Sequence, residues 1–253
     1  MIFDFRRDGV ELKENFFEKE VLSGLLLDLK YPYIKQFKNN KINLGSFDED
    51  LFCLFRQEFE TFSNCGKHNQ HGCTSLYRLA TSQKIMNYLS DLGMKKPFLA
   101  TRPVVMQNHT RLSKSEAFYK TPAHQDWGSM RSSKNSVVVW IPLQDVGVES
   151  GPVHFVPGSH NAGALETHVI EGFSCTDAYP EEDFKFTEMK LGDALIFSTF
   201  LVHKSGEITN NKIRWSCQFR YCDMEEDDFV ERKYEFNYLY SPKIKIAKET
   251  GEQ

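Results

Sequence analysis

The stretch that decides the reading is residues 121–143, TPAHQDWGSMRSSKNSVVVWIPL. In an extended strand side chains alternate faces, so His124 and Asp126 should point the same way and grip one ion. An imidazole and a carboxylate two residues apart, joined by a distant second histidine, give the facial triad that holds Fe(II) with open positions. The second histidine is His203, in ALIFSTFLVHKS, and eleven residues beyond it stands Arg214, in KIRWSCQFRY. Arginine is the side chain for clamping a carboxylate bidentately in a closed pocket.

His-x-acid carries little by itself. With 8 histidines and 35 acidic residues in 253, chance supplies about one such pair, and the chain has one. The weight lies in the order: His-x-Asp, an apolar strand, a PGSH turn, a second apolar strand ending in histidine, then the arginine.

These residues also carry a family resemblance. TPAHQDW, VWIPLQDV, ESGPVHFVPGSH and the His203-to-Arg214 spacing, with the opening FRRDGVELKENFFEKEV, resemble the phytanoyl-CoA dioxygenase family from residue 5 to about residue 223. The resemblance implies a double-stranded β-helix (a jelly roll), Fe(II) on His124, Asp126 and His203, and 2-oxoglutarate and dioxygen as co-substrates. It implies oxidative decarboxylation to succinate and CO2, with Arg214 on the distal carboxylate and Ser205 as its hydroxyl partner. Trp140 and Met106 fall at family positions lining the co-substrate pocket, with plain core as the other reading of both. Asp126 speaks against a halogenase, where a small residue replaces the carboxylate. Hydroxylation is the expected reaction, with desaturation and epimerisation open, and the substrate is not legible. The rival from another class is a non-catalytic jelly-roll metabolite-binding protein with a vestigial metal site.

Composition sets the bounds. A 29.4 kDa chain with 40% hydrophobic and 26% charged residues reads as one sizeable domain or a domain with appendages, with no need for disorder or membrane; with the resemblance, it is expected to be a single oxygenase domain. Net charge −4 and a pI near 6.1 argue against general nucleic-acid binding. Six cysteines without regular spacing read as reduced thiols of a cytoplasmic protein. The charged opening MIFDFRRDGVELKE does not read as a signal peptide, so none is expected, and no apolar run approaches eighteen residues.

Residues 1–97 read as mainly helical support: a short strand over 1–12, then a helix capped by Asn15 and ended at Tyr31-Pro32. Its stripe is Phe17, Val21, Leu22, Leu25, Leu26 and Leu29. Further helices are expected over 48–63, with Leu51, Leu54, Phe55, Phe59 and Phe62 on one face, and over 75–92. Cys65, His68, His71 and Cys73 invite a zinc reading, but their spacing matches no finger or ribbon, and a polar loop near the site's mouth fits better. Residues 98–223 read as the jelly-roll core: strands at 98–108, 135–142, 153–156, 184–189, 194–203 and 213–222, with Gly/Pro turns and a crossing loop at 161–183. With the helices, the class is α+β. Residues 224–253 read as a strap, with Tyr234, Phe236, Tyr238 and Tyr240 alternating and the last ten residues loose.

On the last strand Arg214, Ser216, Gln218 and Arg220 share one face, and Trp215, Cys217, Phe219 and Tyr221 the other. Two arginines facing inward need anions inside the barrel. Residues 109–135 hold Arg111, Lys114, Lys120, Arg131 and Lys134 against Glu116 and Asp126, which points to a small-molecule substrate bearing a carboxylate or phosphate. His160 reads as structural, His154 as facing substrate or a neighbour, and His109 and His168 as loop residues. Trp127 shields the iron or packs outside.

Overall fold

The computed structural model describes residues 2–114 and 119–235. One helical turn, α1 (Phe5–Asp8), is capped by the Asp4 side chain and stopped at Gly9, whose φ of 72° lies in the left-handed region. Strand β1 (Val10–Lys13) follows, then α2 (Lys19–Asn39), α3 (Phe47–Gln57), α4 (Phe59–Gly72), α5 (Thr74–Ala80) and α6 (Gln83–Asp91). After β2 (Pro97–Leu99) and β3 (Val104–Asn108) comes a short helix, α7 (Trp127–Met130). The remaining strands are β4 (Ser136–Pro142), β5 (Val153–Phe155), β6 (His168–Ile170), β7 (Phe173–Cys175), β8 (Lys185–Phe186), β9 (Ala194–Ser198), β10 (His203–Ser205) and β11 (Arg214–Asp223). Helix α8 (Asp227–Glu231) closes the described chain.

The strands pair antiparallel. The larger sheet runs β1-β9-β4-β11-β2, with β3 also on β11; the smaller runs β10-β5-β8, and β6-β7 is a separate hairpin. Residues of β4 explain the arrangement. Val137, Val139 and Ile141 join Trp215, Cys217, Phe219 and Tyr221 in a cluster with Leu22, Leu25, Leu29 and Tyr33 of α2. Val138 and Trp140 turn the other way, onto Leu195, Phe197, Val153 and Phe155. A strand covered on both faces reads as an unbroken apolar run, as VVVWI does. One layer is helix on sheet and the next sheet on sheet, so the molecule is an α+β jelly roll.

The helices depart from the periodic reading in definite places. Asn15 caps nothing; it sits in a turn at φ 48°, its amide donating to Asp193 Oδ1 at 2.8 Å, and α2 starts at Lys19. Pro32 lies inside α2, because Tyr33 and Phe37 beyond it are buried and offset a cost of roughly 3 kcal/mol. Val21 is 52% exposed, so the stripe narrows to Leu22, Leu25 and Leu29. The helix expected over 48–63 breaks at Glu58 (φ −133°, ψ 55°), and the one over 75–92 breaks at Ser82 (φ −63°, ψ 143°). The second break re-aims the chain so that Leu79 and Ala80 on one side and Ile85 and Leu89 on the other all reach the core.

Cys65, His68 and His71 lie on α4, with Cys73 as its C-cap, and form no loop. Cys65 and Asn69 turn inward, and Asn69 Nδ2 donates to the Leu29 carbonyl at 2.8 Å. Among the described residues these four do not come together as a metal-holding group. The strand expected over 98–108 is two, interrupted before Pro103, which has no N–H for a ladder. Beyond β11 the acidic stretch is helical: Glu226 caps α8 on the Phe229 amide, and Tyr234 sits at φ 56°, outside any strand. Phe236, Tyr238, Tyr240, the last ten residues and Glu116 lie outside the described residues. Among the described residues no helix is long and apolar enough to cross a membrane.

Candidate active site

His124 is placed by backbone pairing with His203: each amide donates to the other's carbonyl at 3.0 Å. Asp126 is not on the same extended strand. Its backbone is helical (φ −67°, ψ −30°) at the N-cap of α7, so the turn, and not strand alternation, swings its carboxylate toward the two rings. Gln125 between them ties the segment down. Its Nε2 donates to the carbonyls of Gly163 and Phe200 at 2.8 and 2.7 Å, and its Oε1 accepts from the Leu165 amide at 3.0 Å. That clamp was readable in principle, since a buried polar residue in the middle of His-x-Asp needs partners.

One ligand atom from each of His124, Asp126 and His203 lies within 4.8 Å of the other two. His124 Nδ1 meets the Pro122 carbonyl at 2.8 Å and His203 Nδ1 meets the Leu201 carbonyl at 3.0 Å. A carbonyl only accepts, so each Nδ1 carries the proton and each Nε2 presents a lone pair. Burial, then the neighbouring His124, pushes His203 down to about 4, so its ring is neutral and ready to ligate at pH 7. Burial works to raise the Asp126 carboxyl, but Arg220, His203 and His124 together hold it well below the usual carboxylate range. Arg220 Nη2 donates to Asp126 Oδ1 at 2.9 Å, and Asp126 Oδ2 has no partner. Two imidazole lone pairs and a buried carboxylate with a free oxygen fit Fe(II).

The three ligands line a cavity of about 340 Å³ between the two sheets, and Arg214 stands in its wall. The Arg214 residue is 3% exposed, and its Nε and Nη1 are buried without partners. Burial pushes its guanidinium down to about 10. A buried guanidinium with open donors fits the distal carboxylate of 2-oxoglutarate. Met106, Trp140 and Ser205 line the same cavity, and the Trp140 ring lies 5.7 Å from the Arg214 guanidinium carbon.

The sequence model of the family described as phytanoyl-CoA dioxygenase matches residues 5–216. The chain belongs to the phytanoyl-CoA dioxygenase family. It is 32% identical over 214 residues to a 1-deoxypentalenic acid 11-beta-hydroxylase from Streptomyces exfoliatus, covering 78% of this chain and 75% of that one. It is 27% identical over 177 residues to a phytanoyl-CoA dioxygenase from Arabidopsis thaliana, covering 65% of this chain and 60% of the plant protein's length. Among solved structures, the epimerase SnoN in complex with Fe3+, alpha ketoglutarate and nogalamycin RO shares the fold, with a TM-score of 0.59 at 19% identity over 87% of this chain and 80% of its own.

Within this phytanoyl-CoA dioxygenase fold the other candidates separate. Trp127 stacks on Phe200, centroids 4.9 Å apart, and is absent from the cavity wall, so it packs outside. His154 stacks on Phe186 at 4.9 Å beside an adjoining cavity that Lys120, Glu181 and Lys204 share. His160 packs against Gly9, His109 against Phe52 at 4.6 Å, and exposed His168 lies on β6, 3.6 Å from Asp177. The rim cations are largely engaged elsewhere. Arg111 forks onto Glu49 at 2.6 and 2.8 Å, Lys134 binds Asp228 at 2.8 Å, and Lys114 lies over the Phe59 ring. The partner of Arg220 is what sequence reasoning missed. An arginine alternating with Arg214 showed that an anion was needed inside, and that anion is Asp126 itself.

Proposed function

We propose that this protein is an Fe(II)- and 2-oxoglutarate-dependent oxygenase that hydroxylates a C–H bond of a small anionic metabolite, with release of succinate and CO2. The observation that carries the reading is Arg214: a buried guanidinium with two open donors, in the same cavity as a buried His-Asp-His group. An unpaired buried charge is too costly to keep for packing alone. Iron bound at His124, Asp126 and His203 supplies the oxidising chemistry, with 2-oxoglutarate and dioxygen as co-substrates.

The chain's own part is placement. The carbonyls of Pro122 and Leu201 fix the imidazole tautomers, Gln125 fixes the loop, and Arg220 fixes one oxygen of Asp126. Arg214, with Ser205 as hydroxyl partner, anchors 2-oxoglutarate, and Met106 and Trp140 shape its pocket. The anionic character of the substrate rests on the cavity wall, where Arg214 and Arg220 face one carboxylate, Asp126. A relative named for an acid, the 1-deoxypentalenic acid hydroxylase, supports it. The chain is one oxygenase domain: residues 1–97 support, though β1 joins the larger sheet, and 98–223 carry the core, with α8 in the described stretch beyond it. Six free cysteines support a cytoplasmic setting.

The test is succinate release from 2-oxoglutarate, screened across pools of acidic metabolites, with mass spectrometry of any pool that stimulates it. A product heavier by one oxygen atom supports the reading. Iron-loaded protein that forms no succinate with any pool contradicts it.

A further inference from the structure

Charge inside the cavity does not close with iron and 2-oxoglutarate alone. This argument rests on the oxygenase reading above. The metal's two positive charges and the one on Arg214 are balanced by Asp126 and the two carboxylates of 2-oxoglutarate. Arg220 is then left over. Among the described residues lining the cavity Asp126 is the sole carboxylate, and Lys204 is held by Glu181 outside it. Arg220 lines the cavity, its side chain keeps 14% of its surface exposed, and its Nε has no partner. It stands six residues from Arg214 on the same face of β11, roughly 20 Å along the strand. The Ala100 amide donates to the Arg220 carbonyl at 2.8 Å, and that contact leads the β2–β3 connection past it, placing Arg102 in the same cavity wall.

We propose that Arg220, together with Arg102, forms the subsite for the oxyanion group of the substrate, a carboxylate or a phosphate, at the end of the cavity opposite Arg214. Because Arg220 also holds Asp126, an oxyanion on its guanidinium sits one side chain from the metal group. The neighbouring carbon of the substrate would thereby lie beside the group formed by His124, Asp126 and His203. Of the rim cations, Arg111, Lys134 and Lys114 are engaged by Glu49, Asp228 and the Phe59 ring.

The test uses the full chain loaded with Fe(II) and 2-oxoglutarate without oxygen, a ternary complex that has a weak visible charge-transfer band. Acetate and sulfate, as carboxylate and phosphate probes, are titrated in separately. At least one should shift the band saturably without removing it. Arg220→Gln and Arg102→Gln should each weaken that response by about tenfold or more, the loss of a charge-assisted contact, and Arg220→Lys should restore most of it. If Arg220→Gln loses the band through Asp126, Arg102→Gln, outside the metal group, decides. A wild-type band that neither anion moves overturns the subsite alone. So does a response unchanged in the glutamine variants, or one that added 2-oxoglutarate reverses, since that places the anion on Arg214. No band in the wild type overturns the oxygenase reading, and the subsite with it.

Discussion

His124 and His203 hold each other through the main chain, with reciprocal amide-to-carbonyl hydrogen bonds of 3.0 Å and ring centroids 4.2 Å apart. The two candidate metal ligands farthest apart in sequence are thus set by backbone, before any ion arrives. A side chain can be removed there without breaking the strand contact.

His203→Ala should therefore fold and lose its metal. Circular dichroism should match the wild type, while iron bound under anaerobic conditions falls from about one per chain to near none. Wild-type occupancy in this variant would remove His203 from the ligand set.

Arg214→Ala should leave iron binding nearly intact and weaken 2-oxoglutarate. Truncating one side of a buried charge pair costs on the order of 2–5 kcal/mol, so the concentration for half-saturation should rise by about thirtyfold or more. Arg214→Lys should recover little, since an ammonium cannot present the fork. An unchanged affinity for 2-oxoglutarate would take Arg214 out of the site.

Acid should destabilise the metal-free chain in a window set by His203. Burial, then His124, holds its folded value at about 4 against an ordinary 6.5. Between those values the unfolded chain binds a proton that the folded chain refuses, so stability falls as pH drops through the window, by up to about 3 kcal/mol. Asp126, with its folded value lowered, contributes stability that is lost only at pH below that window. Urea unfolding at several pH values measures the slope, and His203→Gln should reduce it, leaving the part that belongs to His109, His154 and His160, which burial also lowers. A wild-type slope as flat as the variant's would contradict the assignment.

Gly9 should not tolerate a side chain. Its φ is 72°, and a Cβ there would come within 2.3 Å of His160 Nδ1. Gly9→Ala should cost about 1–3 kcal/mol, visible as a lower Tm. His160→Ala in the same chain should recover the steric part and leave the backbone part. A Tm unchanged in Gly9→Ala would contradict this packing of α1 against the PGSH turn.

The strands were legible from local patterns, and the three residues that meet at the candidate metal site from the order of motifs that joins His124 and Asp126 to the distant His203. VVVWI must be covered on both faces, and the alternation of β11 sorts Arg214 and Arg220 from Trp215 and Phe219 without any structure. The helical half was less legible, because tertiary burial overrides local signals there. Tyr33 and Phe37 carry α2 through Pro32, and Glu58 and Ser82 interrupt stripes that looked continuous. The Asp126 turn was hidden for a related reason: His-x-Asp fits a strand, but Gln125 is satisfied by the Gly163 and Phe200 carbonyls only if the chain turns. The partner of Arg220 depends on that turn, so no strand pattern could give it.

The most direct test of the central claim is an anaerobic titration of the purified chain with Fe(II) and then 2-oxoglutarate, followed in the visible spectrum. The account predicts a weak charge-transfer band that needs both components, saturates at about one iron per chain, and is lost in His203→Ala. A chain that binds Fe(II) and 2-oxoglutarate and gives no such band, or a band undiminished in that variant, would contradict it.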